Sequence, residues 1–173
     1  MILLTERLTL RPQQQADSTA LFAILSDPRA MRFWSRPALT RLAVADEIVR
    51  EQQAAMARGL CRYWTVLEGT DAIGSVDLSL IADGSAELGF LLRPDRWGLG
   101  LASEVAGAVA AHGLGPPGAG GMGLDRLAAA TRAENRAAAR VLVKAGFTLV
   151  ETRADLTLPD GTRGACAFYL RRR

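Results

Sequence analysis

The chain has 173 residues, 49% of them hydrophobic, enough to close one well-buried core and to be read as a single domain over 1–173. Twenty-one Lys and Arg against 18 Asp and Glu leave a net charge of +3; with no aromatics around the Arg171-Arg172-Arg173 tail, no nucleic-acid module is read. Two distant cysteines and a single histidine, His112, exclude a histidine-based triad and argue against a zinc site, so no metal is expected.

In chain order, Ile2–Arg11 reads as a strand, Asp17–Ser26 as a capped helix and Ala43–Arg58 as a second helix ended by Gly59. Arg62–Glu68 and Ala72–Ile81 form a hairpin through Gly69-Thr70-Asp71. Leu88, Phe90 and Leu92 share one face of a period-two strand, which Pro94 and Gly98 break. After Gly100, Leu101, Val105, Ala108, Val109 and His112 recur at helical spacing. Leu114–Gly123, with Pro116-Pro117 and five glycines, is expected to be a flexible surface insertion without regular structure, in preference to a substrate lid.

Leu127–Thr131 is a short apolar strand, and Asn135 is placed to cap a helix with an Ala138, Val141, Leu142 and Ala145 stripe and Gly146 just beyond it. A right-handed crossover makes the strands on either side of the first of these helices parallel. Thr148–Ala154 and Gly164–Arg171 are the last strands, joined by a Leu158-Pro159-Asp160-Gly161 turn. Cys61 and Cys166 stand in strand-like contexts and are read as small core residues. No apolar run reaches the length of a membrane span and the N-terminus lacks a signal peptide's charged start, so the expected setting is cytoplasmic, with no membrane partner.

The strand–turn–helix at Glu87–Gly113 carries the chemistry. A small-residue turn opening a helix leaves backbone N–H groups unpaired at the positive end of the helix dipole, a site suited to a diphosphate. The competing reading is a turn that only redirects the chain, since neither a Walker loop nor a full G-x-G-x-x-G is present.

Taken together, the motifs resemble the GNAT superfamily of acetyl-CoA-dependent N-acetyltransferases, in particular the branch of ribosomal-protein N-terminal alanine acetyltransferases. The resemblance runs from Leu4-Thr5-Glu6-Arg7-Leu8-Thr9-Leu10-Arg11-Pro12 through Ser26-Asp27-Pro28, Trp34-Ser35-Arg36-Pro37, Ile73-Gly74-Ser75-Val76 and Glu87-Leu88-Gly89-Phe90. It continues with Trp97-Gly98-Leu99-Gly100-Leu101-Ala102-Ser103-Glu104, Asn135 and Lys144-Ala145-Gly146-Phe147. It implies a mixed α/β (α+β) fold: a central, mostly antiparallel twisted sheet with one splayed parallel strand pair, flanked by about four helices.

It also implies acetyl-CoA as acyl-donor co-substrate, its diphosphate on Trp97, Gly98, Leu99, Gly100, Leu101, Ala102 and Ser103, its pantetheine arm on the backbone of Phe90 and Leu92, and Asn135 on the cofactor side. Trp97 stands where the family usually has Gln or Arg. The Tyr and Ser that many members carry on the last helix are Leu142 and Ala138, leaving no owner for the general-acid role.

For the base, Glu87 at the start of the signature strand is the first candidate, against a solvent-facing or structural reading, and Glu104 the second, a carboxylate that suits the helix dipole and whose side chain should point away from the phosphates. Phe33 and Trp34 are candidates for the acceptor wall, where aromatic core residues are the competing reading. The acceptor is an amine, on a small molecule or a protein N-terminus, and a homodimer is left open. The alternative to an acetyltransferase is a catalytically weak acyl-CoA-binding module with a regulatory role; a purely structural role is the third class.

Overall fold

The computed structural model describes residues 1–34, 36–157 and 161–173. Eight strands form one sheet in the order β1-β2-β3-β4-β5-β6-β8-β7. The chain lays down β1 (Leu3–Leu4), β2 (Thr9–Pro12), α1 (Ser18–Leu25), α2 (Pro28–Met31) and α3 (Leu42–Ala57). Then come β3 (Arg62–Glu68), β4 (Asp71–Ala82), β5 (Ser85–Leu92), α4 (Leu101–Leu114), β6 (Arg126–Arg132), α5 (Arg136–Lys144), β7 (Thr148–Thr157) and β8 (Arg163–Arg172). All neighbours pair antiparallel except β5 and β6, which are parallel.

Alternation sorts the central strands onto two faces. Ile73, Val76 and Leu78 of β4 and Leu88 and Leu92 of β5 join Leu101, Val105 and Val109 of α4 in the main core. Leu91, on the opposite face of β5, packs on a smaller cluster of Leu21, Ile24, Ala30 and Val49 from the first three helices. Period-two residues therefore turn one strand toward both layers.

Three expectations need correction. Ile2–Arg11 is two strands, because Thr5 turns the chain: its hydroxyl accepts from the Leu8 N–H at 3.0 Å, an alternative to continuing the ladder. Asp17 does not cap α1 with its side chain. Its carboxylate is taken by Arg11, by the Thr65 hydroxyl at 2.6 Å and by the Gln14 N–H at 2.8 Å, tying the helix entrance to β3. Five α-helices are described, in keeping with the about four expected; the short α2 is started by Asp27, which accepts from the Arg29 N–H, and by Pro28 in the first position.

The third concerns Leu114–Gly123, which is not irregular throughout. It contains a 3-10 turn at Pro117–Ala119, and Met122 and Leu124 donate to the His112 and Gly113 carbonyls, at 2.8 and 3.0 Å. The segment thus satisfies carbonyls that the end of α4 leaves open, at the end of the helix remote from Gly100. The expected Leu158-Pro159-Asp160-Gly161 turn, apart from Gly161, lies outside the described residues, as does Ser35. No helix is long and apolar enough to cross a membrane among the described residues.

Candidate active site

The parallel pairing of β5 and β6 covers only Ser85↔Arg126, Ala86↔Leu127 and Glu87↔Ala128. Beyond it both strands continue, β5 still paired to β4 as far as Gly74↔Leu92 and β6 to β8 as far as Arg132↔Cys166. Held on their outer sides and released on their inner ones, the strands diverge, and 88–92 and 129–132 present unpaired backbone edges to each other. Gly74 allows the β4–β5 approach here, since a Cβ would overlap the Leu92 side chain and the Leu91 carbonyl. The V opens into a cleft of about 1080 Å³ whose walls include Phe90 and Leu92, the 97–103 turn apart from Leu99, and Asn135.

That turn is bare backbone. Gly98 and Gly100 are left-handed, with φ 79° and 81°, a conformation costly for a residue with a Cβ. The N–H groups of Gly98, Leu99, Gly100, Leu101 and Ala102 donate to no acceptor among the described residues; pairing resumes where Ser103 and Glu104 donate to the Gly100 carbonyl. Five consecutive free donors at the start of a 14-residue helix make a positive, concave backbone surface. The Trp97 indole braces it, donating to the Leu92 carbonyl at 2.9 Å and tying the turn to the end of β5.

The face of the sheet turned toward α1–α3 carries a different chemistry. Asp77 sits at the centre of β4, opposite Gly89, and Glu87 opposite Ser79, all lining the cleft with Tyr63, Phe33 and Trp34. Asp77 is 8% exposed, and its carboxyl leans over Gly89, where a Cβ would come within 2.6 Å of Oδ1. Burial pushes its pKa up to about 7; the Ser79 hydrogen bond pulls it down and the Glu87 charge raises it further. Burial also raises Glu87 and Tyr63, keeping the phenol protonated. Arg32 lies 5.0 Å from the Phe33 ring centre at the outer edge.

The second proton-acceptor candidate, Glu104, must be set aside. It does not line the cleft: its carboxylate accepts from the Thr5 hydroxyl at 2.6 Å, the Arg7 N–H at 2.9 Å and the Arg7 guanidinium. Burial would raise its pKa, but these bonds outweigh it and hold the group below its ordinary value, a poor base facing the wrong way. Leu99 is likewise off the cleft wall, its carbonyl taken by Arg7 at 3.0 Å, so its N–H is its only link to an anion site.

Asn135 caps α5, accepting from the Ala138 N–H at 3.1 Å, and its side chain reaches the cleft. Leu142 is almost wholly buried, in keeping with its place on the apolar stripe. Cys166 is only half-buried and lines the cleft, unlike the buried Cys61. His112 stands edge-on to Trp64, ring centres 5.7 Å apart, near the far end of α4. No group of three or more His, Cys, Asp or Glu that could hold a metal is found among the described residues.

Asp77 and Tyr63 are the residues that reading the sequence missed. The signal for Asp77 lay in Ser75-Val76-Asp77-Leu78-Ser79: a carboxylate on the polar face of a strand whose apolar face is strong enough to be central.

Comparison with known proteins agrees with this geometry. Residues 7–148 match the family model described as "Acetyltransferase (GNAT) domain". The Bacillus subtilis (strain 168) protein named "Uncharacterized N-acetyltransferase YoaA" is 28% identical over 150 residues, spanning 84% of this chain and 82% of its own. RimL, a ribosomal L7/L12 alpha-N-protein acetyltransferase solved in complex with coenzyme A, superposes with a TM-score of 0.88 at 19% identity, covering 99% of this chain and 98% of its own. Spermidine N-acetyltransferase from Vibrio cholerae, solved with CoA and spermine, gives 0.80 at 18%, covering 96% and 95%. The splayed parallel pair, the bare-backbone turn opening α4 and the matched family model place the chain in the GNAT family of N-acetyltransferases.

Proposed function

We propose that residues 1–173 form one catalytic unit, an acetyl-CoA-dependent N-acetyltransferase that moves an acetyl group onto a primary amine by direct attack within a ternary complex. The observation that carries this is the row of five free N–H groups from Gly98 to Ala102, at the mouth of the V between β5 and β6. Its donors and helix dipole fit a diphosphate, and the edge of β5 at Phe90 and Leu92, released from β6 with the Leu92 carbonyl taken by the Trp97 indole, fits the amides of a pantetheine arm. Asn135 lies on the same side of the cleft.

Acetyl-CoA supplies the acetyl group as an activated thioester. The β5 edge orients the acyl carbonyl, and one of its N–H groups is the donor that stabilises negative charge on that oxygen. The acceptor enters past Phe33 and Trp34. Its nitrogen attacks the acyl carbon; the C–N bond forms, the C–S bond breaks and sulfur leaves as thiolate. The proton lost by nitrogen passes to the Asp77–Glu87 carboxyl pair, whose raised pKa values suit a base working near neutrality. Leu142 and Ala138 supply no acid, so the thiolate takes its proton from water.

A protein N-terminus and spermidine, the acceptors named for the two structural neighbours, share the primary amine that this pair would deprotonate. Turnover is favoured over binding alone by these carboxyls and by relatives named as N-acetyltransferases.

The test is a melt with and without acetyl-CoA, followed by a free-thiol assay over a panel of amines. Acetyl-CoA at a hundred times its dissociation constant should stabilise the fold by about 2.7 kcal/mol, and at least one amine should release thiol. Binding without thiol release from any amine would leave the acyl-CoA-binding module; neither effect would remove both readings.

A further inference from the structure

We propose that Arg7 is a positioning residue, which orients the amides of the 98–102 turn through the Leu99 carbonyl and holds Glu104 away from the bound anion. The inference rests on the diphosphate reading of that turn.

Arg7 lies in the tight turn between β1 and β2, more than ninety residues before its partners. Its guanidinium is a fork with two tasks. Nε and Nη2 grip the Glu104 carboxylate at 2.8 and 2.6 Å, while Nη1 donates to the Leu99 carbonyl at 3.0 Å. The Thr5 hydroxyl and the Arg7 N–H complete the shell around Glu104 Oε1.

The Leu99 carbonyl and the Gly100 N–H belong to one trans peptide plane and point in opposite directions. Fixing the carbonyl against Arg7 therefore turns the Gly100 N–H the other way, toward the cleft that Gly100 lines. The peptide turns about Leu99 ψ and Gly100 φ, and Gly100 is a left-handed glycine whose freedom would otherwise allow it to rotate. A second effect is electrostatic. Glu104 occupies the first turn of α4, where a diphosphate would also sit, and two anions at one helix end repel each other. Bound by Arg7 and Thr5, its carboxylate faces away from the site.

A residue that only pinned the β1–β2 turn would make the same contacts, so the test must separate the roles. Coenzyme A and pantetheine, its fragment without the diphosphate, would be titrated into the parent, Arg7→Met and Arg7→Lys, with melting temperatures taken in parallel. Arg7→Met should weaken coenzyme A by about tenfold and leave pantetheine within about twofold of the parent. Arg7→Lys keeps the charge but, as a single point donor, cannot span Glu104 and Leu99 together, so it should recover less than half of that loss.

Equal loss for both ligands would overturn the role given to Arg7, as would full recovery in Arg7→Lys, which would make charge alone sufficient. A parent that binds pantetheine as tightly as coenzyme A would overturn the diphosphate reading itself, a failure visible before any variant is made. Should Arg7→Met not fold, Arg7→Lys decides alone: parental coenzyme A affinity refutes the proposal, and selective loss against pantetheine supports it.

Discussion

Replacing Asp77 with Asn separates what this carboxyl does for the fold from what it does for the chemistry. In the folded protein its pKa stands at about 7, raised first by burial, against 3.8 for an unperturbed Asp. The native state therefore holds the proton more tightly than the unfolded chain. The stability this contributes is fully present below about pH 4 and is lost as pH rises through about 7. Each unit of pH inside that window removes about 1.4 kcal/mol, so the parent should lose roughly 2 to 3 kcal/mol between pH 5 and 8 from this group. Asp77→Asn, near-isosteric and uncharged, has no such slope. Urea unfolding of both proteins from pH 5 to 8 should show the variant gaining on the parent by that amount. Turnover should move oppositely: the parent's rate climbs with pH as the carboxyl ionises, and the variant falls by about a hundredfold or more. A difference in unfolding free energy that stays constant from pH 5 to 8 would refute the account of this site, whatever the activities.

Three other substitutions probe the neighbouring claims. Glu87→Gln should lower turnover by roughly a hundredfold with acetyl-CoA affinity intact, and flatten a pH dependence that burial has moved above the ordinary carboxylate range; parental turnover would leave Asp77 as sole acceptor. Gly100→Val places a β-branched residue at φ 81°, so the apo protein should melt slightly lower and the acetyl-CoA-induced shift should vanish in differential scanning fluorimetry; an unchanged shift would move the diphosphate elsewhere. Asn135→Asp keeps the oxygen that accepts from Ala138 but replaces an amide donor with a negative charge, so stability should stay within about 0.5 kcal/mol while acetyl-CoA binds more weakly by calorimetry.

Much of the donor side was legible because local rules write it. Leu88, Phe90 and Leu92 announce a strand, Gly100 and the apolar stripe after it a helix, and Asn135 with Gly146 the two ends of another. The turn between them needs bare backbone, and bare backbone is visible as glycine. The acceptor side was less legible because it is made by pairing across strands. Asp77 meets Gly89 only through the β4–β5 register, and nothing near either residue in sequence announces the void that Gly89 leaves for a carboxylate. Glu104 failed for a similar reason. Its position in the first turn of a helix suited both a structural and a catalytic role, and the decision came from Thr5 and Arg7, at the other end of the sequence. The 114–123 segment misled through composition: glycine and proline rule out a long helix but not a 3-10 turn stitched to the end of α4.

Under the proposed function, the alternation of β5 would let one strand serve two substrates. Its even-numbered residues, Leu88 and Leu92 above all, are committed to the α4 core, which fixes the strand against the helix whose N-terminus carries the free amides. Its odd-numbered residues, Glu87, Gly89 and Leu91, face the layer that holds Phe33, Trp34 and Asp77. Its backbone edge, released from β6 after Glu87, runs between the two. On the proposed function, donor and acceptor would approach the same few peptides from different directions, and neither would have to displace a core side chain. The arrangement depends on where the parallel pairing stops. Pairing continued past Glu87↔Ala128 would close the edge proposed for the donor, while pairing that ended earlier would free the segment carrying Glu87. Glu87 stands at that boundary, on the cleft wall where the proposed base must lie and still tied into the sheet that positions it.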